Sequence, residues 1–283
     1  MILEFTKMHG CGNDYIYVDG FKQHINNPFE TAVCLSRRHF SIGSDGLIIV
    51  CPSDVADAKM KMYNADGSEG KMCGNGIRCV AKFVHDNKIS SKNPLKIETL
   101  SGIKTVKLNF ENDEVTGATV DMGKPVFEPD KIPAIVNYCE PVINKEFTFG
   151  DNVYRLTLVN MGNPHCVIFV SDDFELWNFN IEKYGSEIEN DKMFPEKVNV
   201  EFVKVIDKNK LEMRVWERGS GETLACGTGA CASVAAAVKN NYCNMGDDVT
   251  VKLKGGELVI NYTGEGIKMT GEAVTSFHGR VEV

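Results

Sequence analysis

Two cysteines stand in matching surroundings, Cys73 in Met72-Cys-Gly-Asn-Gly-Ile-Arg78 and Cys226 in Ala225-Cys-Gly-Thr-Gly229. Each Cys-Gly-x-Gly run is expected to open a helix. After Cys73, the apolar residues Ile77, Val80, Ala81 and Val84 keep the i, i+3, i+4, i+7 spacing of one helix face, and Asn87 offers a stop. After Cys226, residues 230–238 are apolar all round, the pattern of a helix buried on every side. Helix N-termini carry unpaired backbone NH groups and a partial positive charge. A cysteine placed there is expected to have its thiolate stabilised and its pKa pulled below about 8.5. The glycines that follow let NH groups approach an anion such as a carboxylate closely.

This arrangement suits removal of an α-proton from an amino acid. The difficulty of that step is the negative charge that builds on the carboxylate as the carbanion forms, and preorganised NH donors stabilise it. A thiolate on one face takes the proton while a thiol on the other delivers a new one, so configuration inverts. Most cysteines in a chain of this kind are inert, small hydrophobes. What singles out this pair is the repetition of its surroundings.

The repetition extends beyond the cysteines. At an offset of 153 residues (226 − 73), Glu69 falls on Glu222, Gly74 on Gly227 and Gly76 on Gly229. A second echo, at an offset of 150 (163 − 13), pairs Gly12-Asn13 with Gly162-Asn163, each followed by a β-rich run. Between these landmarks lie short strand-like stretches at 46–50, 59–63, 104–110, 153–159, 200–206, 211–216, 249–253 and 257–262, with few helices. The reading is α+β, two pseudo-symmetric halves each wrapping strands around a helix, with a boundary near Asp121-Met-Gly-Lys-Pro125.

Whole-chain composition sets outer bounds. With 283 residues, 43% hydrophobic and 25% charged, the chain has ample material for a core. A net charge of −8 without a Lys/Arg stripe argues against nucleic acid and favours a small polar metabolite. The start lacks a signal-type apolar run and nothing approaches the ~18 apolar residues of a membrane span, so no membrane association and a cytoplasmic location are expected. The ten cysteines then read as mostly reduced and buried. No C-x-x-C pair or His partner at zinc-site spacing occurs, so no metal is expected. Gly227-Thr-Gly-Ala-Cys-Ala232 fits a dinucleotide fingerprint, but the preceding strand stretch ends near Trp216, leaving a long loop where that motif needs a tight turn. Disulfide exchange or metal capture by the same cysteines is the rival use from another class.

Phe5-Thr-Lys-Met-His-Gly-Cys-Gly-Asn-Asp-Tyr15, residues 38–46, Tyr63-Asn-Ala-Asp-Gly-Ser-Glu69, Met72–Arg78, Met161-Gly-Asn-Pro-His165, Val198-Asn199, Trp216-Glu-Arg-Gly-Ser-Gly-Glu-Thr223 and Ala225–Gly229 resemble the diaminopimelate epimerase family over nearly the whole chain. The resemblance implies two pseudo-symmetric α+β domains, each a curled mixed sheet around a central helix, with the active site in the cleft between them. It implies domains of residues 1–122 plus 275–283, carrying Cys73, and 123–274, carrying Cys226. The implied activity is interconversion of LL- and meso-diaminopimelate without pyridoxal phosphate, any other cofactor or metal, by a homodimer. Cys73 and Cys226 would be acid and base, and Gly74, Asn75, Gly227 and Thr228 would bind the reacting carboxylate. Asn13, Asn64, Asn163, Asn199, Glu217 and Arg218 would hold the other polar groups, with His165 and Glu217 tuning the thiols. Some members of the family carry Gln where this chain has Gly46, and Cys11 replaces what is often an aliphatic residue.

Overall fold

The structure is a computed structural model that describes residues 2–137 and 139–283. The chain separates into two compact units, Met1–Asp121 with Thr270–Val283, and Met122–Met269. It is α+β, and each unit is built on the same plan.

In the first unit β1 (Ile2–Gly10) and β2 (Asn13–Asp19) form an antiparallel hairpin. Its two-residue turn, Cys11-Gly12, has φ of 53° and 76°, the positive pair that a type I′ hairpin turn requires. Pro28 then starts α1 (Pro28–Ser36), and the Asn27 side chain accepts the Glu30 NH as its cap. Next, β3 (Gly46–Cys51) runs parallel to β2, and β4 (Ala58–Asn64) returns antiparallel to it and turns into β5 (Glu69–Gly70). The chain then enters α2 (Gly74–Asp86), whose residues Gly74–Ala81, Phe83 and Val84 are buried. After it come β6 (Leu95–Thr99), parallel to β4, and the antiparallel pair β7 (Gly102–Glu111) and β8 (Glu114–Gly123).

The second unit repeats the sequence of moves. The strands β9 (Lys145–Phe149), β10 (Asn152–Asn160) and β11 (Pro164–Val170) form an antiparallel meander. Asn180 caps α3 (Ile181–Glu189). Then β12 (Asn199–Asp207) runs parallel to β11, β13 (Lys210–Glu217) returns antiparallel, and β14 (Gly221–Glu222) turns back. Next comes α4 (Gly227–Lys239), with Gly227 and residues 229–237 buried. After it, β15 (Asp248–Leu253) lies parallel to β13, followed by β16 (Gly256–Thr263) and β17 (Gly266–Glu272). Each strand stretch expected from the sequence lies inside one of these strands. The helix all of whose faces read apolar is the one packed under β10, β11 and β16.

Finally β18 (Val274–Glu282) pairs antiparallel with β1 in the first unit, Ile2 opposite Glu282 and Lys7 opposite Phe277. Phe5 meets Phe277 edge to face at 5.9 Å, and Leu3 beside it is fully buried in a core that includes Ile16, Val18, Leu47 and Ile49. Just upstream, a Cβ on Gly117 would lie 2.4 Å from the Gly271 carbonyl oxygen, so only glycine permits the returning chain to approach β8 this closely.

Deleting Val274–Val283 strips β1 of one neighbour and uncovers Leu3 and Phe5. We expect amide exchange protection to fall throughout β1 and β2 while β12 and α4 keep theirs; equal protection in β1 with and without the segment would contradict this packing account.

Candidate active site

Both cysteines are helix N-caps. Cys73 has φ −126° and ψ 123°, and its sulfur accepts the Gly76 NH at 3.4 Å. Cys226 has φ −118° and ψ 110°, and its sulfur accepts the Gly229 NH at 3.3 Å. A sulfur thus occupies the place that a Ser or Asp oxygen usually takes at a helix start. Gly74 and Asn75 form the first turn of α2, Gly227 and Thr228 that of α4, where NH groups lie beyond the reach of intrahelical acceptors.

In the first unit the Cys73 thiol donates to Asn13 Oδ1 at 3.1 Å, and Asn13 Nδ2 donates to Asp45 Oδ2 at 2.8 Å. Asp45 also accepts from the Asp14 NH and from Arg38, so the amide of Asn13 is held in one orientation. Burial raises the pKa of Asp14, but hydrogen bonds and charge from Arg38 and Lys7 outweigh it and hold the carboxyl below its usual range. Behind the helix start lies Arg78, fully buried. It donates to the carbonyls of Gly74 (3.1 Å) and Glu272 (3.0 Å) and to Asn75 Oδ1 (3.0 Å). A buried guanidinium needs such partners, and here they brace the turn that carries Cys73. Cys11 is buried beside it, its sulfur 4.0 Å from Arg78 Nη2, and burial pushes its thiol pKa up. Asn64 lies at the end of β4, where its side chain donates to Ser68 Oγ at 3.0 Å.

In the second unit a continuous hydrogen-bonded path ends at Cys226. Glu201 Oε1 lies 2.6 Å from His165 Nδ1, and His165 Nε2 lies 3.0 Å from Asn163 Oδ1. Asn163 Nδ2 donates to Thr228 Oγ1 at 3.3 Å, and Thr228 Oγ1 is 3.4 Å from Cys226 Sγ. The parallel register of β11 and β12 sets His165 beside Asn199, whose Nδ2 donates to the Pro164 carbonyl and whose Oδ1 accepts the Arg218 NH. Arg218 itself is exposed, its guanidinium donating to the Glu196 carbonyl at 3.1 Å. Glu217, half-buried, accepts from the Thr223 hydroxyl at 2.5 Å. Burial raises its pKa; Thr223, His165 and a hydrogen bond with Cys226 oppose that, while the Glu201 charge adds to it.

The expectation of a depressed thiol pKa fails at Cys226. Burial pushes this thiol well above its ordinary range and the Glu217 and Glu201 charges push the same way, against the Thr228 hydroxyl and Gly229 NH. The helix start is where the sequence puts it, but desolvation and two carboxylates dominate the field there. Sequence reasoning did not single out Arg78, Asp45 or Glu201. The only sequence signal available for them was their place in or beside the motifs around Cys73, Gly46 and Asn199.

The diaminopimelate epimerase family model matches residues 5–128 and 157–276. The chain is 51% identical to a diaminopimelate epimerase from Methanococcus maripaludis over 99% of its own length and 100% of that protein. It is 47% identical to a diaminopimelate epimerase from Agathobacter rectalis, again over 99% and 100%. Among solved structures, a phenazine biosynthesis protein of the PhzF family from Bacillus anthracis superposes with a TM-score of 0.73 at 16% identity over all of both chains. A probable proline racemase from Agrobacterium radiobacter superposes with a TM-score of 0.69 at 16% identity, covering 99% of this chain and 92% of that one. At such identities these two structures speak for the fold alone.

Replacing Thr228 with Val removes the hydroxyl that links Cys226 to Asn163 at little cost in volume. The Cys226 titration midpoint should move further up, because one of its thiolate-favouring contacts is gone. A pH titration following the cysteine β-carbon resonances checks this, and a downward movement would refute the assigned role of the hydroxyl.

Proposed function

The chain belongs to the diaminopimelate epimerase family, and from that membership we infer that it is an amino-acid epimerase interconverting LL- and meso-diaminopimelate, with Cys73 and Cys226 as paired acid and base. The observation that carries the assignment of the two thiols is their equivalence: each sulfur caps a buried helix and accepts the NH of the third residue on, at 3.4 Å and 3.3 Å.

The reaction inverts one carbon and nothing else. A thiolate abstracts the α-hydrogen as a proton, leaving the electron pair on the α-carbon and delocalised into the substrate carboxylate. The thiol on the opposite face then gives its proton to that carbon, so thiolate and thiol have exchanged identities and no electrons have been lost. The reverse direction uses the same two groups with roles interchanged. No cofactor is needed, because the amides of Gly74, Asn75, Gly227 and Thr228 at two helix starts supply the stabilisation of the developing carboxylate charge.

The substrate's other polar groups fall to Asn13, Asn64, Asn163, Asn199, Glu217 and Arg218. Asn13 and Glu217 support this by their direct links to a cysteine, and Asn163 and Thr228 by theirs to one another. His165 and Glu217 act on the proton affinity of Cys226, Glu217 through charge and His165 through the relay described above. Arg218, exposed and anchored through its NH to Asn199, is suited to meet a carboxylate with a planar pair of donors. Lysine biosynthesis, a cytoplasmic location, a homodimeric assembly and an absence of nucleic-acid or membrane partners complete the reading. Among the described residues no helix is long and apolar enough to cross a membrane.

Ala at either Cys73 or Cys226 should abolish epimerisation with the fold intact, measured as turnover alongside a far-ultraviolet spectrum; more than about a tenth of wild-type turnover in either variant would end the two-thiol reading. Arg218→Lys should lower kcat/KM for diaminopimelate by about tenfold or more, since a point charge does not reproduce the guanidinium fork. Wild-type kcat/KM for proline that equals the value for diaminopimelate would favour a racemase of another amino acid instead.

A further inference from the structure

Beneath the two capped helices the units part company. Positions 48 and 201 are equivalent on three counts. They are separated by the same 153 residues as the two cysteines (201 − 48). Ile48 pairs with Tyr17 across β2 and β3, Glu201 pairs with Val167 across β11 and β12, and Tyr17 and Val167 are 150 residues apart (167 − 17), the offset of the Gly-Asn repeat. A Cβ on Gly76 would lie 2.9 Å from Ile48 Cδ1, and one on Gly229 would lie 2.8 Å from Glu201 Oε1. The same place under the first helical turn therefore holds a methyl group in one unit and a carboxylate in the other.

Glu201 is fully buried, and its Oε2 has no hydrogen-bond partner among the described residues. A buried carboxylate with one oxygen unpaired is a costly occupant of a core position, and Ile48 demonstrates that hydrocarbon fits the equivalent spot. Stability does not account for it. Four elements bring groups that bear on the proton of Cys226: Glu201 from β12, Glu217 from β13, His165 from β11, and Thr228 with the Gly229 NH from α4 itself. Of these, the Thr228 hydroxyl and the Gly229 NH favour the thiolate. Glu217 opposes them through its charge, and Glu201 opposes them from under the first turn at Gly229, at the positive end of α4.

We propose that Glu201 is a positioning residue whose buried carboxylate keeps the proton on Cys226 in the substrate-free enzyme, so that the second unit enters the reaction as the acid. The inference rests on the two-thiol reading above. It makes the pseudo-symmetric halves chemically inequivalent: of the two arrangements holding a single thiol proton, the one with that proton on Cys226 is favoured, because α2 has the Ile48 methyl group where α4 has the Glu201 carboxylate, paired with His165 through one oxygen only. The His165 ring is held in register by the same carboxylate at Nδ1 and by Asn163 at Nε2. A Gln at position 201 still offers an oxygen to Nδ1, so Glu201→Gln removes the charge while leaving the contact.

The test is a pH titration of the substrate-free enzyme labelled at the cysteine β-carbons, with the Cys226 and Cys73 resonances assigned by their loss in Cys226→Ser and Cys73→Ser. In Glu201→Gln the Cys226 midpoint should fall by about one pH unit, a tenfold gain in thiolate fraction, while the Cys73 midpoint stays within about 0.3. Glu201→Ile, which installs the residue used by the first unit, should move the Cys226 midpoint in the same direction and serves if the Gln variant does not fold. A Cys226 midpoint that stays put or rises in the folded variant overturns the proposal. Because the readout is the thiol itself, that result is separable from failure of the two-thiol reading, which shows as turnover surviving in the Ala variants.

Discussion

A sulfur atom at the N-cap of a buried helix is the constraint from which the rest of each unit follows. To accept the NH of the third residue on, the cysteine must leave the helix in an extended conformation while its side chain folds back over the first turn. That turn then lies tight against the strands below, and a Cβ at Gly76 or Gly229 would press on Ile48 Cδ1 at 2.9 Å or on Glu201 Oε1 at 2.8 Å. The helices behind the sulfurs must be buried to hold the turns still. In α2 this is done with a large apolar face and a buried Arg78 that collects stray carbonyls; in α4 it is done with small residues such as Ala230, Ala232 and Ala235, all fully buried. Strands around each helix supply the polar groups that reach the sulfur, Asn13 from β2 and, through Asn163 and Thr228, His165 from β11.

From equal frames the two units develop unequal electrostatics. In the first, Lys7, Asp14, Arg38 and Asp45 form a network of ion pairs in which acids and bases are matched, and the buried Arg78 adds a positive charge behind the helix start. In the second, one oxygen of the buried Glu201 has no hydrogen-bond partner among the described residues, and burial together with the Glu217 and Glu201 charges pushes the Cys226 thiol pKa up. Two opposing forces act on an N-cap cysteine: the helix end favours thiolate, and burial with negative neighbours favours thiol. At Cys226 the second wins. A reaction that needs one thiol and one thiolate is served by such a difference, provided substrate binding and each proton transfer can reverse it.

Much of this was legible in the sequence because it is written in short-range chemistry. Cys-Gly-x-Gly at a helix start, the apolar face after Cys73 and the wholly apolar run after Cys226 depend on neighbours within a few residues. The matching offsets showed that the unit was built twice. What sequence reading missed depends on register between strands distant along the chain. Glu201 sits in β12, in a run that reads as an ordinary strand, and only the pairing with β11 and the approach of Gly229 reveal that it faces the helix start. Arg78 reads as one turn of helix surface until the return of Glu272 supplies its carbonyl partner. The sign of the Cys226 shift lies outside local sequence for the same reason: the helix end is local, whereas Glu201 and Glu217 arrive from two other strands.

The central claim is that proton removal and delivery belong to two different thiols, and the fate of the hydrogen tests it most directly. Run in deuterated water and stopped at low conversion, starting from either stereoisomer, the reaction should give product that carries solvent deuterium at the inverted carbon, while unreacted substrate keeps its original hydrogen. Each thiol then handles a hydrogen that the other never sees. Product that retains the substrate's own hydrogen would mean one group performing both transfers, and would contradict the account.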